Sequence, residues 1–219
     1  LARIEDNDDK AFELLNQSAD IIRNLNVYEY PFCSWVLDPL YFASKKRNKY
    51  IDCKKLLQEW NLILTKNNLI ESQEYAKQQL ESGLYYITID RDLAQAKTYF
   101  QNSINTYRLL CNIKNNDFIV ANCELAAIWA FENNFSEQEK IYSGLLNLLQ
   151  KSEKNYRISL TCVLNKLGAL YLRRNNISKS KYYFDQALDN CYKTNDISSK
   201  DYFDCIKGRL DIFHKMGKV

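Results

Sequence analysis

Proline and glycine are scarce, with two Pro and five Gly in 219 residues. An all-β fold needs many tight turns and draws on these two residues for them, so a strand-rich architecture is excluded. The Leu, Lys, Glu, Gln and Ala that fill the chain suit helices instead. Histidine is missing except for His214, and none of the seven cysteines stands in a CxxC pair, so no zinc-binding spacing can be written. His214 falls near the end of an expected helix, where a cation complements the dipole. Glycine-rich phosphate loops, GxSxG elbows and HExxH motifs are absent from the sequence. Asp90 and Asp92 sit in an expected turn and read as solvated charges rather than an acid/base pair. The sequence therefore predicts no enzyme, no cofactor and no metal site.

Charge of one sign is lacking as well: the net value is +3 and no single-sign block occurs. The densest basic run is Lys45, Lys46, Arg47 and Lys49, which reads as a solvated turn, so direct contact with nucleic acid is not expected. No stretch approaches the ~18 apolar residues of a spanning helix. The longest candidate, Phe118 to Phe131, is interrupted by Glu124. With no signal-peptide pattern either, no membrane partner is expected. Cys33, Cys53, Cys111, Cys123, Cys162, Cys191 and Cys205 read mainly as small buried apolar residues in a reducing compartment, the cytoplasm. A structural disulfide stays open as the alternative, since connectivity is unreadable. The chain begins at Leu1 rather than Met, which predicts a piece of a longer protein.

What the chain does have is a period. Phe100, Tyr142 and Phe184 follow one another at a spacing of 42 residues. Ala96, Gln138, Ser180 and Ser103, Leu145, Ala187 keep the same step on either side. Towards the N-terminus the columns continue through Cys53, Leu57, Trp60 and then Ala11, Leu15, Ser18. A fixed period of this size is the mark of a helical-repeat solenoid. Each repeat reads as helix A, a polar turn and helix B. The clearest copy places Leu164, Leu167, Gly168 and Tyr171 on one face of helix A. Asn175 and Asn176 break that helix, Ser178 is the expected N-cap of the next, and helix B presents Tyr183, Phe184, Ala187 and Leu188. Asn133, Asn134, Phe135 and Ser136 repeat the grammar one copy earlier. The predicted layout is one array over 1–219: a helix B at 8–26 after a break at Asp6 to Asp9, repeats at about 32–67, 70–113, 117–152 and 155–195, and an orphan helix A at 198–216.

This pattern resembles the tetratricopeptide repeat family. Leu164, Leu167, Gly168, Tyr171, Ser180, Phe184 and Ala187 occupy that family's consensus places in order. Leu125, Ala126, Trp129, Gln138, Tyr142 and Leu145 do so one repeat earlier, with Gln138 a departure. Gly83, Tyr86, Ala96, Phe100 and Ser103 do so before that, with one extra residue in the turn from Thr88 to Asp92. The resemblance implies an all-α fold, a right-handed α-solenoid of antiparallel helix pairs. The family's Pro after helix B is missing and the period exceeds the usual ~34 residues. Both departures fit a longer helix B, as in kinesin light chains and the sensor arrays of some bacterial transcription regulators. It further implies that Gly83, Ala126 and Gly168 let helices approach closely, and that Tyr86, Trp129 and Tyr171 pack against Phe100, Tyr142 and Phe184.

The resemblance also implies a concave groove, lined by Lys77, Leu80, Glu81, Leu84 and Ile87, by Cys123, Glu124, Ala127, Ala130 and Phe131, and by Asn165, Ala169, Leu172 and Arg173. Of the places where chaperone-binding members hold a C-terminal carboxylate, only Asn165 matches, so the expected partner is an amphipathic helix or an extended peptide with apolar side chains. The leading expectation is a non-catalytic protein interaction scaffold. The alternative is a ligand- or peptide-sensing array of a larger bacterial regulator, and an array whose groove is filled by its own further repeats also stays open. The region from Tyr28 to Ser44 breaks the pattern with Pro31 and Pro39. Asp38 there reads as an N-cap before a first-turn Pro39, or Pro39 kinks the helix. Tyr30, Phe32 and Trp35 form a candidate aromatic hot spot, set against the blander reading of a degenerate repeat packed on its own aromatics. Asp201 to Lys215 reads as a last helix A with Ile206, Leu210 and Phe213 on one face, to be covered by further repeats or by self-association.

Overall fold

Asparagine does the work that glycine usually does in this chain. The structure, a computed structural model, describes residues 2–151 and 157–217. The repeat boundary expected at 152–155 and the ends at Leu1 and Val219 lie outside them. Ten α-helices account for most of the described residues, and no strand occurs among them: α1 (Ala2–Leu25), α2 (Ser34–Lys46), α3 (Tyr50–Lys66), α4 (Gln73–Tyr85), α5 (Leu93–Leu109), α6 (Asn116–Phe131), α7 (Phe135–Gln150), α8 (Arg157–Arg173), α9 (Ile177–Thr194) and α10 (Lys200–Lys215). Six asparagines, Asn26, Asn48, Asn68, Asn133, Asn175 and Asn195, adopt positive φ at or just beyond helix ends. Asn tolerates this left-handed conformation at little penalty, which is why so few glycines suffice.

The Asn-Asn turns divide two tasks between neighbours. Asn133, at φ 56°, ends α6, and the amide of Asn134 donates back to Trp129 O at 2.9 Å. The Asn134 side chain then accepts from the Glu137 amide and opens α7. Asn175 and Asn176 repeat this between α8 and α9, with Asn176 accepting from the Lys179 amide at 3.1 Å. The caps are therefore the second asparagines and not Ser136 or Ser178, which lie inside the helices. An Asn carbonyl caps as well as a serine hydroxyl and comes earlier in the chain, so it closes the shorter turn.

The chain forms two compact units, unit 1 up to Ile113 and unit 2 from Lys114. In unit 1, α2 packs on α3 and α4 on α5; in unit 2, α6 packs on α7, α8 on α9, and α10 on both α8 and α9. The columns are buried in every copy from Cys53 onward, through Phe100, Tyr142 and Phe184. The first copy departs. Ala11 is exposed and Leu15 and Ser18 are half-buried, while Ala19 and Ile22 enter the core instead. One helix runs straight through Asp6 to Asp9, so no A-to-B turn sets its register. Arg23 orients it instead, through two 2.8 Å hydrogen bonds to the Glu59 carboxylate on α3.

The small residues of helix A serve a different neighbour from the one expected. A Cβ on Gly168 would come within 2.9 Å of the Phe184 ring, and one on Gly208 of α10 within 2.2 Å of the same ring. Gly83 stands in the same relation to Phe100, at 2.5 Å. These glycines admit an aromatic ring from helix B rather than a second backbone. The tyrosines expected against Phe184 and Phe100 stack one residue earlier: Tyr171 on Tyr183 and Tyr86 on Tyr99, with centroids 5.5 and 5.2 Å apart. The phenyl rings of Phe184 and Phe100 are already enclosed, and the flat faces of the buried or half-buried tyrosines match each other. Ser103 and Ser180 tie the hairpins by donating to Ala76 O and Gly168 O at 2.7 and 2.8 Å.

Two irregularities lie in unit 1. Pro31 opens a single 3-10 turn that leads directly into α2, so Pro39 falls within the helix and Asp38 is not its cap. The extra residue after Tyr86 is absorbed by one π-helical turn, Tyr86–Asp90, followed by Arg91 at φ 56°.

Candidate functional site

The residues expected along the groove separate into packed and open ones. In unit 1, Leu80 and Glu81 are buried, and Glu81 Oε2 accepts from the Tyr41 hydroxyl and from Lys45 Nζ, both at 2.9 Å. Burial pushes the Tyr41 phenol far above its ordinary range, and the adjacent Glu81 charge adds to this. Lys77 Nζ donates to both Asp38 oxygens, at 2.7 and 2.9 Å. Leu84 and Ile87 are half-buried, Ile87 within the π turn. In unit 2, Cys123 and Asn165 are buried, and the Asn165 amide is engaged by Asp201 O and the Cys205 thiol. Leu172 is half-buried. Burial raises the pKa of the half-buried Glu124, and the Lys166 charge opposes that rise.

Ala127, Ala130, Phe131, Ala169 and Arg173 come together. They line a cavity of about 420 Å³ within unit 2, completed by Gln138 and Tyr142 from α7 and by Lys166 and Leu170 from α8. The alanines create the space: three positions where helix A carries only a methyl group leave α6 and α8 apart above α7. Arg173 is held at the rim, its guanidinium donating to Ala130 O at 3.1 Å and lying 5.1 Å from the Phe135 ring centroid. Phe131 is 71% exposed, a large apolar surface left at the mouth.

Gln138 gives the cavity its polarity. The residue is 5% exposed, its side chain is hydrogen-bonded to the Tyr142 hydroxyl, and its Oε1 has no hydrogen-bond partner among the described residues. An unpaired buried carbonyl of this kind costs about 1–3 kcal/mol, so it calls for a donor. The sequence pattern marks Gln138 as the departure from a column otherwise small, Ala96 and Ser180, but does not place it in a site. That departure was the available signal. Lys166 carried none, because a lone exposed lysine on a helix looks like any other.

One helical turn earlier on the same two helices lie Cys123 of α6, which is buried, and Cys162 of α8, which is half-buried. All seven cysteines are free thiols.

The aromatic cluster of unit 1 is exposed: Tyr30 47%, Phe32 55% and Trp35 72%. Tyr30 and Phe32 pack on each other, with centroids 5.5 Å apart. Trp35 instead lines a second cavity of about 310 Å³, together with Ser34, Asp38, Trp60, Gln73, Glu74 and Lys77. Trp60 is 1% exposed, and its Nε1 has no hydrogen-bond partner among the described residues. Elsewhere, the basic run is neutralised in part by Lys45–Glu81, Lys46–Asp8 and Arg47–Asp9 pairs. On α10, Cys205, Gly208 and Ile212 face inward, while Phe203, Leu210 and Phe213 are exposed and Ile206 is half-buried.

No protein-family model matches this sequence, and no curated protein does. Solved structures do. BtubC (BKLC) from P. vanneervenii is 14% identical, with 96% of this chain and 85% of that chain covered and a TM-score of 0.75. A kinesin-light-chain-like protein of Podosopora anserina with nearly identical TPR-like repeats is 16% identical, with 89% and 92% covered and a TM-score of 0.73. The apo form of the quorum sensor NprR from B. thuringiensis is 15% identical, with 96% of this chain covered and a TM-score of 0.70. This chain spans 57% of that sensor's length. At these identities the likeness is one of fold.

Proposed function

Because the chain has the TPR-like helical repeat fold, we propose that it is a non-catalytic protein interaction scaffold and that it holds a protein segment in the cavity of unit 2. The unpartnered Gln138 Oε1, buried in a cavity that the repeat pattern would otherwise fill with a small residue, carries this reading. Ala127, Ala130, Ala169 and Tyr142 suit an apolar side chain. Gln138 Oε1 accepts an N–H, and Lys166 and Arg173 favour a carboxylate beside it. The ligand is then an acidic segment with apolar anchors, extended or as an amphipathic helix. Ala169 is exposed on α8, so Ala169→Trp fills the cavity without entering the core. In fluorescence anisotropy with a panel of acidic-apolar peptides, this variant should bind at least about tenfold more weakly, a change of about 1.4 kcal/mol. Binding equal to the parent, or equal binding of basic peptides, would overturn the reading.

A second reading, a sensing array within a larger regulator, is supported by the likeness to the quorum sensor NprR. A sensor changes its global shape with ligand, and small-angle scattering distinguishes it from a scaffold whose curvature is constant. The seven free thiols support a reducing, cytoplasmic setting. No helix among the described residues is long and apolar enough to cross a membrane.

A further inference from the structure

The cavity of unit 1 is lined from three helices, and its polar groups do not balance. Trp35 and Asp38 come from α2, Trp60 from α3, and Glu74 and Lys77 from α4. Lys77 Nζ donates to both Asp38 oxygens, at 2.7 and 2.9 Å, and lies 4.9 Å from the Phe42 ring centroid, so these two charges cancel and the ammonium is held in place. Two groups are left over. The half-buried Glu74 carboxylate has no hydrogen bond or ion pair among the described residues, which leaves one uncompensated negative charge in the wall. Trp60 Nε1, on a ring that is almost fully buried, has no acceptor among them.

We propose that this cavity takes an arginine side chain presented by a segment of a partner protein. The planar guanidinium lies on the exposed indole of Trp35 and donates two parallel N–H groups to the Glu74 carboxylate. A main-chain carbonyl of the same segment accepts from Trp60 Nε1. Each leftover group of the cavity then has its complement, and the desolvation cost that both carry in the free protein is relieved on binding.

The charge balance selects the sign of the ligand. A carboxylate would satisfy Trp60 Nε1 but would stand beside Glu74, with Lys77 already committed to Asp38. Arginine is selected over lysine by shape, because a compact, strongly hydrated ammonium makes neither a planar stack nor a paired bond to a carboxylate. The cavity, at about 310 Å³, holds one such side chain and its flanking peptide unit. The proposal rests on the scaffold reading for its source, a protein, and does not depend on the cavity of unit 2.

The chain has three tryptophans, Trp35, Trp60 and Trp129, so an isotope-labelled sample gives three indole N–H signals in a proton–nitrogen correlation spectrum. Trp35→Phe and Trp129→Phe assign them. The full chain is titrated with arginine capped as its N-acetyl methylamide, with capped citrulline as the neutral isostere and capped lysine as the other cation. Capped arginine should move the Trp35 and Trp60 signals along one saturating curve and leave Trp129 of unit 2 in place. Capped citrulline and capped lysine should bind at least about tenfold more weakly, and Glu74→Gln and Trp35→Ala should each weaken capped arginine by about tenfold. Trp35 is exposed, so its loss leaves the fold intact even where Glu74→Gln disturbs it. Movement of Trp35 alone would overturn the proposal, because it would mean stacking on an exposed ring and nothing more. So would the absence of a saturable shift, citrulline or lysine binding as tightly as arginine, or undiminished binding by Trp35→Ala. The Trp35 and Trp60 signals report unit 1 alone, so this proposal and the reading of unit 2 fail separately.

Discussion

The two cavities share a construction and differ in sign. Each contains the one large residue of a column that is otherwise smaller: Trp60 where other repeats have Ser103, Leu145 and Ala187, and Gln138 where they have Ala96 and Ser180. Each of these residues has one buried polar atom with no partner among the described residues. In unit 1 that atom is a donor, Trp60 Nε1, beside Asp38 and Glu74 with Lys77 paired to Asp38. In unit 2 it is an acceptor, Gln138 Oε1, beside Lys166 and Arg173. The repeat rule therefore marks the scaffold, and its oversized exceptions mark where polar recognition is built. The exceptions are unequal, however, because the Trp60 ring belongs to the core of unit 1 and also carries Lys77 Nζ 5.7 Å from its centroid.

That inequality yields the largest expected effect. Trp60→Ala should destabilise the protein by about 3–5 kcal/mol in denaturant unfolding, as should Phe184→Ala in the scaffold of unit 2. A Trp60→Ala loss near that of an exposed Lys→Ala control would break the comparison by placing Trp60 outside the core. The next effect tests the ring clamp. Gly208→Ala drives a methyl group into the Phe184 ring and should cost about 1–3 kcal/mol. Gly144→Ala, in α7 with nothing within 4 Å, should instead stabilise by about 1 kcal/mol. Opposite signs from one substitution type would show that glycine's role at the clamp is volume rather than backbone freedom; equal signs would refute it.

The fold was legible where a packing contact recurs. Phe100, Tyr142 and Phe184 keep their spacing because each ring is enclosed in the same way, and the period exposes that constraint. The turns were legible as turns, but not in detail, since Asn serves both as a left-handed C-terminal residue and as an N-cap. The register of α1 was not legible because it is set by a distant partner, Glu59, and not by a turn of its own. For the site, Ala127, Ala130 and Ala169 followed from helix A alone. Gln138 and Tyr142 approach them from α7, and such a meeting of helices leaves no pattern within any one of them.

The smallest expected effect separates the two exceptions most sharply. Gln138→Ala restores the column to the residue found at Ala96. It removes an unpaired acceptor, a relief of about 1–3 kcal/mol, and with it the hydrogen bond to Tyr142, worth about 1 kcal/mol. It also gives up one buried methylene, Cγ, about 0.8 kcal/mol. These contributions oppose one another, so stability should stay within about 1 kcal/mol of the parent. A loss as large as that of Trp60→Ala would mean that Gln138 Oε1 is satisfied and that the residue is scaffold, which removes the basis for a polar site in unit 2. A change near zero, with weakened binding of an acidic-apolar peptide, would mean that this glutamine is retained for recognition and not for the fold.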